Sequence, residues 1–250
     1  MRVSWTLPML WLGSLAASLP GGAGAGSLRV SPVRIHLEPG ATETLEFRNE
    51  GDSAVAVELV ARAWSQGADG ADLYAPTSEL VFYPKIAEVG PGETRVVRLT
   101  HPGALASERE ASYRLYLRQI PVTRETSEGV AVLLGMSLPV FVGAGALRAD
   151  AMLERPALAR GRVSVAIRNR GGAHVRVNEV VVEARGGEGG PLSSVRIPGW
   201  YVLPGALRTF EAKLPAEPCA RSRQIRIHAD LVGGPLSGEL ATDPAQCGAP

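Results

Sequence analysis

The stretch LEFRNEGDSAVAVELVARAW (residues 45–64) returns in outline as VAIRNRGGAHVRVNEVVVEA (residues 165–184). In both, an apolar run ends in Arg-Asn-x-Gly and restarts as an alternating run. Period two is the mark of a strand with one buried face. Asn49 aligns with Asn169 and Gly51 with Gly171. Asn and Gly both tolerate the left-handed backbone of tight hairpins. A second pair of segments repeats further on: EVGPGETRVVRL (88–99) and YVLPGALRTFEAKL (201–214). Pro91-Gly92 and Pro204-Gly205 are each suited to a turn ahead of a strand. The duplication predicts two related antiparallel sandwiches in series, divided in GAGALRAD (143–150). One large sandwich is the alternative.

Other runs extend the pattern: LRVSPVRIHLEP (28–39), ELVFYPKIAEV (79–89) and EASYRLYLRQIPV (110–122). No segment keeps a helical period over three turns. His101–Glu110 has room for a helical turn, which Pro102 and Gly103 keep short. Trp64, Phe82 and Tyr83 read as core aromatics.

The most apolar run is SEGVAVLLGMSLPVFVGAG (127–145). Val130, Val132, Leu134, Met136, Leu138, Val140 and Val142 share one face; the other is mostly small. Pro139 cannot donate to a central ladder, so the strand reads as an edge. Leu138, Val140 and Phe141 are placed to pack in their own domain.

Composition removes several classes of function. Lys+Arg 26 against Asp+Glu 25 gives no global electrostatic footprint for nucleic acid or anionic lipid. The first residues combine Arg2, an apolar segment broken by Pro8 and Gly13, and an Ala23-Gly24-Ala25 cleavage site. Residues 1–25 are expected to be a signal peptide and the mature chain to be exported, with no membrane insertion. In that setting the isolated pair Cys219 and Cys247 favours a disulfide over a metal site. His36, His101, His174 and His228 are dispersed, and neither a nucleophile elbow nor a phosphate loop is present. The chain is expected to be no enzyme and to need no metal or cofactor.

The order of motifs carries a resemblance. An S-P-V-R-I strand is followed by an Asn-x-Gly-Asp hairpin, a strand ending in Trp64, and F-Y-P-x-I. Then come Pro-Gly-x-x-x-x-V-R-L, R-E-x-x-Y-R-L-Y-L-R-x-I-P and an apolar strand ending L-P-V-F-V. Together these resemble the periplasmic pilus-assembly chaperones of the chaperone–usher pathway. The L-P-V-F-V ending and Tyr113-Arg114 look most like its archaic branch. The second half matches more loosely, through Asn169-x-Gly171, Leu203-Pro204-Gly205 and Asp230–Gly234.

The resemblance implies an all-β chain of two immunoglobulin-like β-sandwich domains in series, at an angle: 26–145, with the donor strand, and 146–250. It implies a periplasmic protein whose partners are a pilus subunit and an outer-membrane usher. The late strand of the first domain would be lent to a subunit lacking one strand, with Val130, Val132, Leu134 and Met136 as donor residues. The family holds the subunit's terminal carboxylate with two cations. Arg34 matches the first; the second, usually Lys, falls here on Pro139, leaving Arg114 or Arg118 as replacements. Glu110 and Asp230 match acidic residues that join the domains through an arginine, whose position is Gly143 here. Cys219–Cys247 would tie the end of the second domain to one of its late strands. The competing expectation is a secreted two-domain structural or adhesive surface module.

Overall fold

The computed structural model describes residues 28–103, 108–121, 133–187 and 190–248. The expected leader over residues 1–25 lies outside these, as do Val130 and Val132.

The first sandwich is built from β1 (Leu28–Ser31), β2 (Ile35–Leu37), β3 (Thr42–Asn49), β4 (Val55–Gln66) and β5 (Asp72–Pro76). It continues through β6 (Val81–Tyr83), β7 (Ile86–Val89), β8 (Thr94–Thr100), β9 (Ala111–Ile120) and β10 (Gly135–Val142). One sheet runs β1-β3-β8-β6; the other runs β2-β10-β9-β4-β5, with β7 also on β4. The β2–β10 pair is parallel, as three residues of each strand run side by side. Between the sheets, Leu45, Phe47, Val57, Val97, Leu115 and Val140 form a closed apolar core. Leu45, Phe47 and Val97 alternate with exposed neighbours, the period-two pattern of the sequence, whereas Val57, Leu115 and Val140 each have a buried neighbour on the other face.

The second sandwich takes β11 (Ala151–Leu153), β12 (Ala157–Ala159), β13 (Arg162–Asn169), β14 (Val175–Arg185) and β15 (Pro191–Pro198). It is completed by β16 (Tyr201–Val202), β17 (Leu207–Lys213), β18 (Gln224–Leu231) and β19 (Leu236–Ala241). β13 pairs with β11, β12 and β17; the facing sheet runs β15-β14-β18-β19, with β16 on β14. Val163, Val165, Ile167, Val177, Ile225 and Ile227 fill its core. A third buried cluster, Trp64, Phe141, Tyr201 and Leu203, lies between the sandwiches.

Both Arg-Asn-x-Gly turns have the same construction. Asn49 Nδ2 donates to the carbonyls of Ser53 and Val89, and its Oδ1 accepts from Gly51 N–H. Asn169 Nδ2 donates to Ala173 and Val202, and its Oδ1 accepts from Gly171 N–H. Neither asparagine lies at positive φ. Its value here is hydrogen bonding in a buried corner, not left-handed backbone. The Pro-Gly turns do use glycine's freedom: Gly92 and Gly205 have φ of 70° and 78°.

Several details differ from the sequence reading. A short helix, α1 (Ala216–Arg221), precedes β18. Cys219 sits in α1 and is bonded to Cys247, with Cα atoms 5.6 Å apart. The disulfide therefore joins a helix, not a strand, to the 3₁₀ turn Pro244–Cys247. Pro218 is tolerated there because it lies in the first turn, where no intrahelical N–H bond is lost. Trp64 and Phe82 are buried, but Tyr83 is 79% exposed. Strand alternation explains this: with Phe82 inward, Val81 and Tyr83 must face out.

Candidate functional site

β10 has two unequal edges. Toward β9 it is paired throughout, from Gly135 opposite Arg118 to Val142 opposite Ala111. The ladder extends one residue further, where Gln119 N–H donates to Leu134 O at 2.9 Å. Toward β2 it is paired only at Val140, Phe141 and Val142. Among the described residues, no strand covers the outer edge from Gly135 to Pro139. Such an edge offers unpaired N–H and C=O groups to any extended chain.

The side chains of β10 divide by parity. Leu138, Val140 and Val142 are buried in the first core, and Met136 packs against it half-buried. Leu134, next in the same row, is 40% exposed. The row thus leaves its own core as it runs toward the N-terminal end of the strand. On the other face of the sheet, Val60, Arg62, Tyr74, Tyr116, Arg118, Gly135 and Ser137, with Leu117 and Met136, line a groove of about 620 Å³.

The candidate cations are not equivalent. Arg118, on β9, is ion-paired with Glu58 and exposed. Arg114, four residues along, is 4% exposed. Its guanidinium lies 4.0 Å from the Trp64 ring, 5.1 Å from Trp200 and 5.7 Å from Tyr201. Its Nε and Nη2 are buried without a hydrogen-bond partner. Arg34, just before β2, donates from Nε to the Tyr201 hydroxyl at 3.1 Å. The structure brings Arg34 and Arg114 together around Tyr201, and leaves Arg118 elsewhere.

The candidate domain-joining acids also separate. Glu110 Oε1 accepts from His174 N–H at 2.6 Å and lies 2.8 Å from His174 Nδ1. The His174 ring stacks on Phe141 with centroids 3.5 Å apart. Asp230 instead accepts from Asn178 Nδ2, within the second sandwich. An arginine has no room at Gly143, where a Cβ would come within 2.9 Å of Glu110 Cβ. The partner that Glu110 meets is His174, from the second sandwich. His36 lies beside this stack, its ring centroid 5.6 Å from that of His174. Loss of water around the ring, then the neighbouring His174 and Arg34, push its pKa below the ordinary value, with Glu110 opposing.

A second junction was not visible in the sequence. The Asp72 carboxylate accepts from Trp64 Nε1, Gln66 Nε2 and Trp200 Nε1 at 3.0, 2.9 and 2.7 Å, with Arg208 Nη1 at 3.3 Å. Gln66 also donates to Tyr201 O and accepts from Leu203 N–H. Its amide completes the backbone pairing that β16 lacks. The one signal was compositional: in a chain poor in aromatics, Trp200 and Tyr201 are adjacent and stand one residue ahead of the Leu203-Pro204-Gly205 turn.

Residues 27–144 match the sequence profile of the pili and flagellar-assembly chaperones, PapD N-terminal domain. This part of the chain belongs to the PapD-like pilus-chaperone family. No curated protein sequence matches significantly. The whole two-domain fold is that of chaperone–usher chaperones. A chain of the CsuC–CsuE chaperone–tip adhesion subunit pre-assembly complex, from archaic Csu pili of Acinetobacter baumannii, aligns with TM-score 0.61 at 18% identity. That alignment covers 84% of this chain and 98% of the other. A chain of the Salmonella enterica SafA pilin–SafB chaperone complex gives 0.57 at 16%, covering 86% and 96%. The Pseudomonas aeruginosa chaperone CupB2 gives 0.55 at 14%, covering 86% and 100%. In this PapD-like frame, the open half of β10 and the arginines packed around Tyr201 are two features outside ordinary sandwich packing.

Proposed function

We propose that the chain is a periplasmic, non-enzymatic assembly chaperone that binds a pilus subunit by lending it β10. The observation that carries this is the uncovered edge of Gly135–Pro139, on a strand whose apolar row runs past its own core at Leu134. A subunit sandwich missing one strand has an exposed groove and two unpaired edges. Adding β10 supplies ladder hydrogen bonds, and its alternate side chains fill the groove. Met136, Leu134 and, beyond the described residues, Val132 and Val130 are the donor row. Release follows when another strand replaces β10 at the usher.

The subunit's terminal carboxylate is held by Arg34 and Arg114. A planar guanidinium suits a carboxylate bidentately, and Arg114 carries unpartnered buried nitrogens. Arg118 is already committed to Glu58. The functional division is a signal peptide at 1–25, a donor domain at 26–145 and a second domain at 146–250. Glu110 joins the domains through His174; Asp230 serves its own sandwich.

The test is co-expression of the mature chain with the pilus subunit of its own host. Full burial of one leucine is worth about 1.5–3 kcal/mol. A charge at Leu134 removes that and adds an unpaired anion in the groove. The Leu134→Asp variant is expected to fold normally and to lose the soluble subunit complex. A normal complex with this variant would rule out strand lending.

A further inference from the structure

Three arginines surround Tyr201, and the third comes from the second domain. Arg176, on β14, lies with its guanidinium 4.9 Å from the Tyr201 ring centroid. Arg34 and Arg114 lie at 5.6 and 5.7 Å. Among the described residues, none of the three has a carboxylate partner. The nearby charges are engaged elsewhere: Asp72 with Arg208, and Glu110 with His174. Arg176 Nη1, like Arg114 Nε and Nη2, is buried without a hydrogen-bond partner. Guanidinium cannot shed its proton to escape burial. Aromatic faces offset part of the charge but satisfy none of these donors. Such unmet donors are rare in native interiors and call for an occupant.

We infer that Arg176 completes an anion site with Arg34, Arg114 and the Tyr201 hydroxyl, and that an occupying carboxylate locks the second domain onto the first. The inference rests on the cleft binding a subunit carboxylate, and adds to it both a residue and a consequence. Two of the four groups belong to each domain. Occupancy therefore stabilises one domain arrangement over others, since a ligand shifts an equilibrium by its differential affinity. The buried nitrogens have almost no surface of their own. A carboxylate reaches them by displacing part of the packing between the domains, so entry and domain seating are one event.

The mature chain is well suited to a direct test. Once residues 1–25 are removed, its tryptophans are Trp64 and Trp200, and both border this site. The probe is N-acetyl-tetraalanine with a free C-terminal carboxylate, titrated at constant ionic strength with tryptophan fluorescence as readout. Its C-terminal amide is the control. The carboxylate is expected to bind the wild-type chain and the amide to bind much more weakly. Arg176→Ala should weaken carboxylate binding about tenfold, the scale of one charge-assisted hydrogen bond, and Arg176→Lys should weaken it less. Bound carboxylate should also slow amide hydrogen exchange in β16 of the wild-type chain and not of Arg176→Ala. If Arg176→Ala binds as wild type while Arg34→Ala does not bind, the role of Arg176 is overturned and the two-arginine anchor stands. If the wild-type chain does not distinguish carboxylate from amide, the anchor itself fails, and this inference with it.

Discussion

The turns at Asn49 and Asn169 are one device put to two uses. They share their hydrogen bonds, down to Gly92 N–H on Asn49 O and Gly205 N–H on Asn169 O, each at 2.9 Å, and Asn169 Oδ1 accepts one more, from Asp150 N–H at 3.3 Å. Around this common frame the neighbours differ. Glu50, Asp52 and Ser53 are exposed on the first turn. On the second, Gly171 to His174 lie half-buried, Gly171 against Arg148–Asp150 and Gly172 and His174 against Glu108 and Glu110 of the first domain. Gly172 O accepts from Glu110 N–H at 2.8 Å, and Gly172 stands where the first turn has Asp52. His174 stands where the first turn has Ala54. The same backbone frame therefore carries a free hairpin in the first domain and an interdomain socket in the second, with only the surface side chains differing.

Breaking the shared frame should have the largest effect. Asn49→Ala and Asn169→Ala each strand a Gly N–H and two carbonyls in a mostly buried corner, a loss of about 3 kcal/mol apiece. Equilibrium unfolding in urea checks this; a small loss at either site would show that water substitutes for the amide. The next effect separates the two uses. At Gly172 a Cβ would overlap the Glu108 carbonyl, so Gly172→Ala should cost about 1–3 kcal/mol through local displacement. The equivalent Asp52→Ala, on the exposed turn, should stay within about 0.5 kcal/mol. Equal effects of the pair would mean that the socket bears no weight.

The smallest effect concerns pH. The pKa of His36 is lowered in the folded chain, so the unfolded chain binds its proton more readily. Its contribution to stability is complete above the ordinary value of 6.5 and is lost as pH falls through the lower, folded value. His36→Gln should therefore flatten the decline in unfolding temperature below about pH 6.5, the unperturbed histidine value. An unchanged slope would assign that decline to other groups.

The strands were legible because each buries one face, and period two survives in any sequence that does so. The Pro-Gly turns were legible because φ above zero selects glycine. The duplicated asparagines were found, although their reason was misread: an Asx hydrogen-bond corner and a left-handed turn recruit the same residues. β5 was missed because its five residues, exposed on nearly every position, carry no alternation. The interdomain contacts were hidden for a different cause. Gln66 and Leu203 are 137 residues apart, Asp72 and Trp200 128, and polar pairs at such separations leave no periodic trace. Of the proposed site, β10 and Arg34 stood out as local pattern and matched motif, whereas Arg176 and Tyr201 belong to the second domain and meet Arg34 only in space.

The two sandwiches differ again at their last sheets. β18 is flanked by β14 on one side and β19 on the other, while β10 has half of one edge uncovered. The second sheet is not closed either, since β15 and β19 are its open edges among the described residues; what sets β10 apart is an edge that is covered over only part of its length.

The placement of the two junctions has a mechanical consequence. Glu110 and His174 fasten the domains at one point, and Asp72 with Gln66 fastens them at another. A body held at a single point can swing and twist in any direction. A body held at two, like a door on a pair of hinges, keeps one axis. Here even that axis is braced, because the Arg34–Tyr201 hydrogen bond and the buried cluster of Trp64, Phe141, Tyr201 and Leu203 add further holds between the domains.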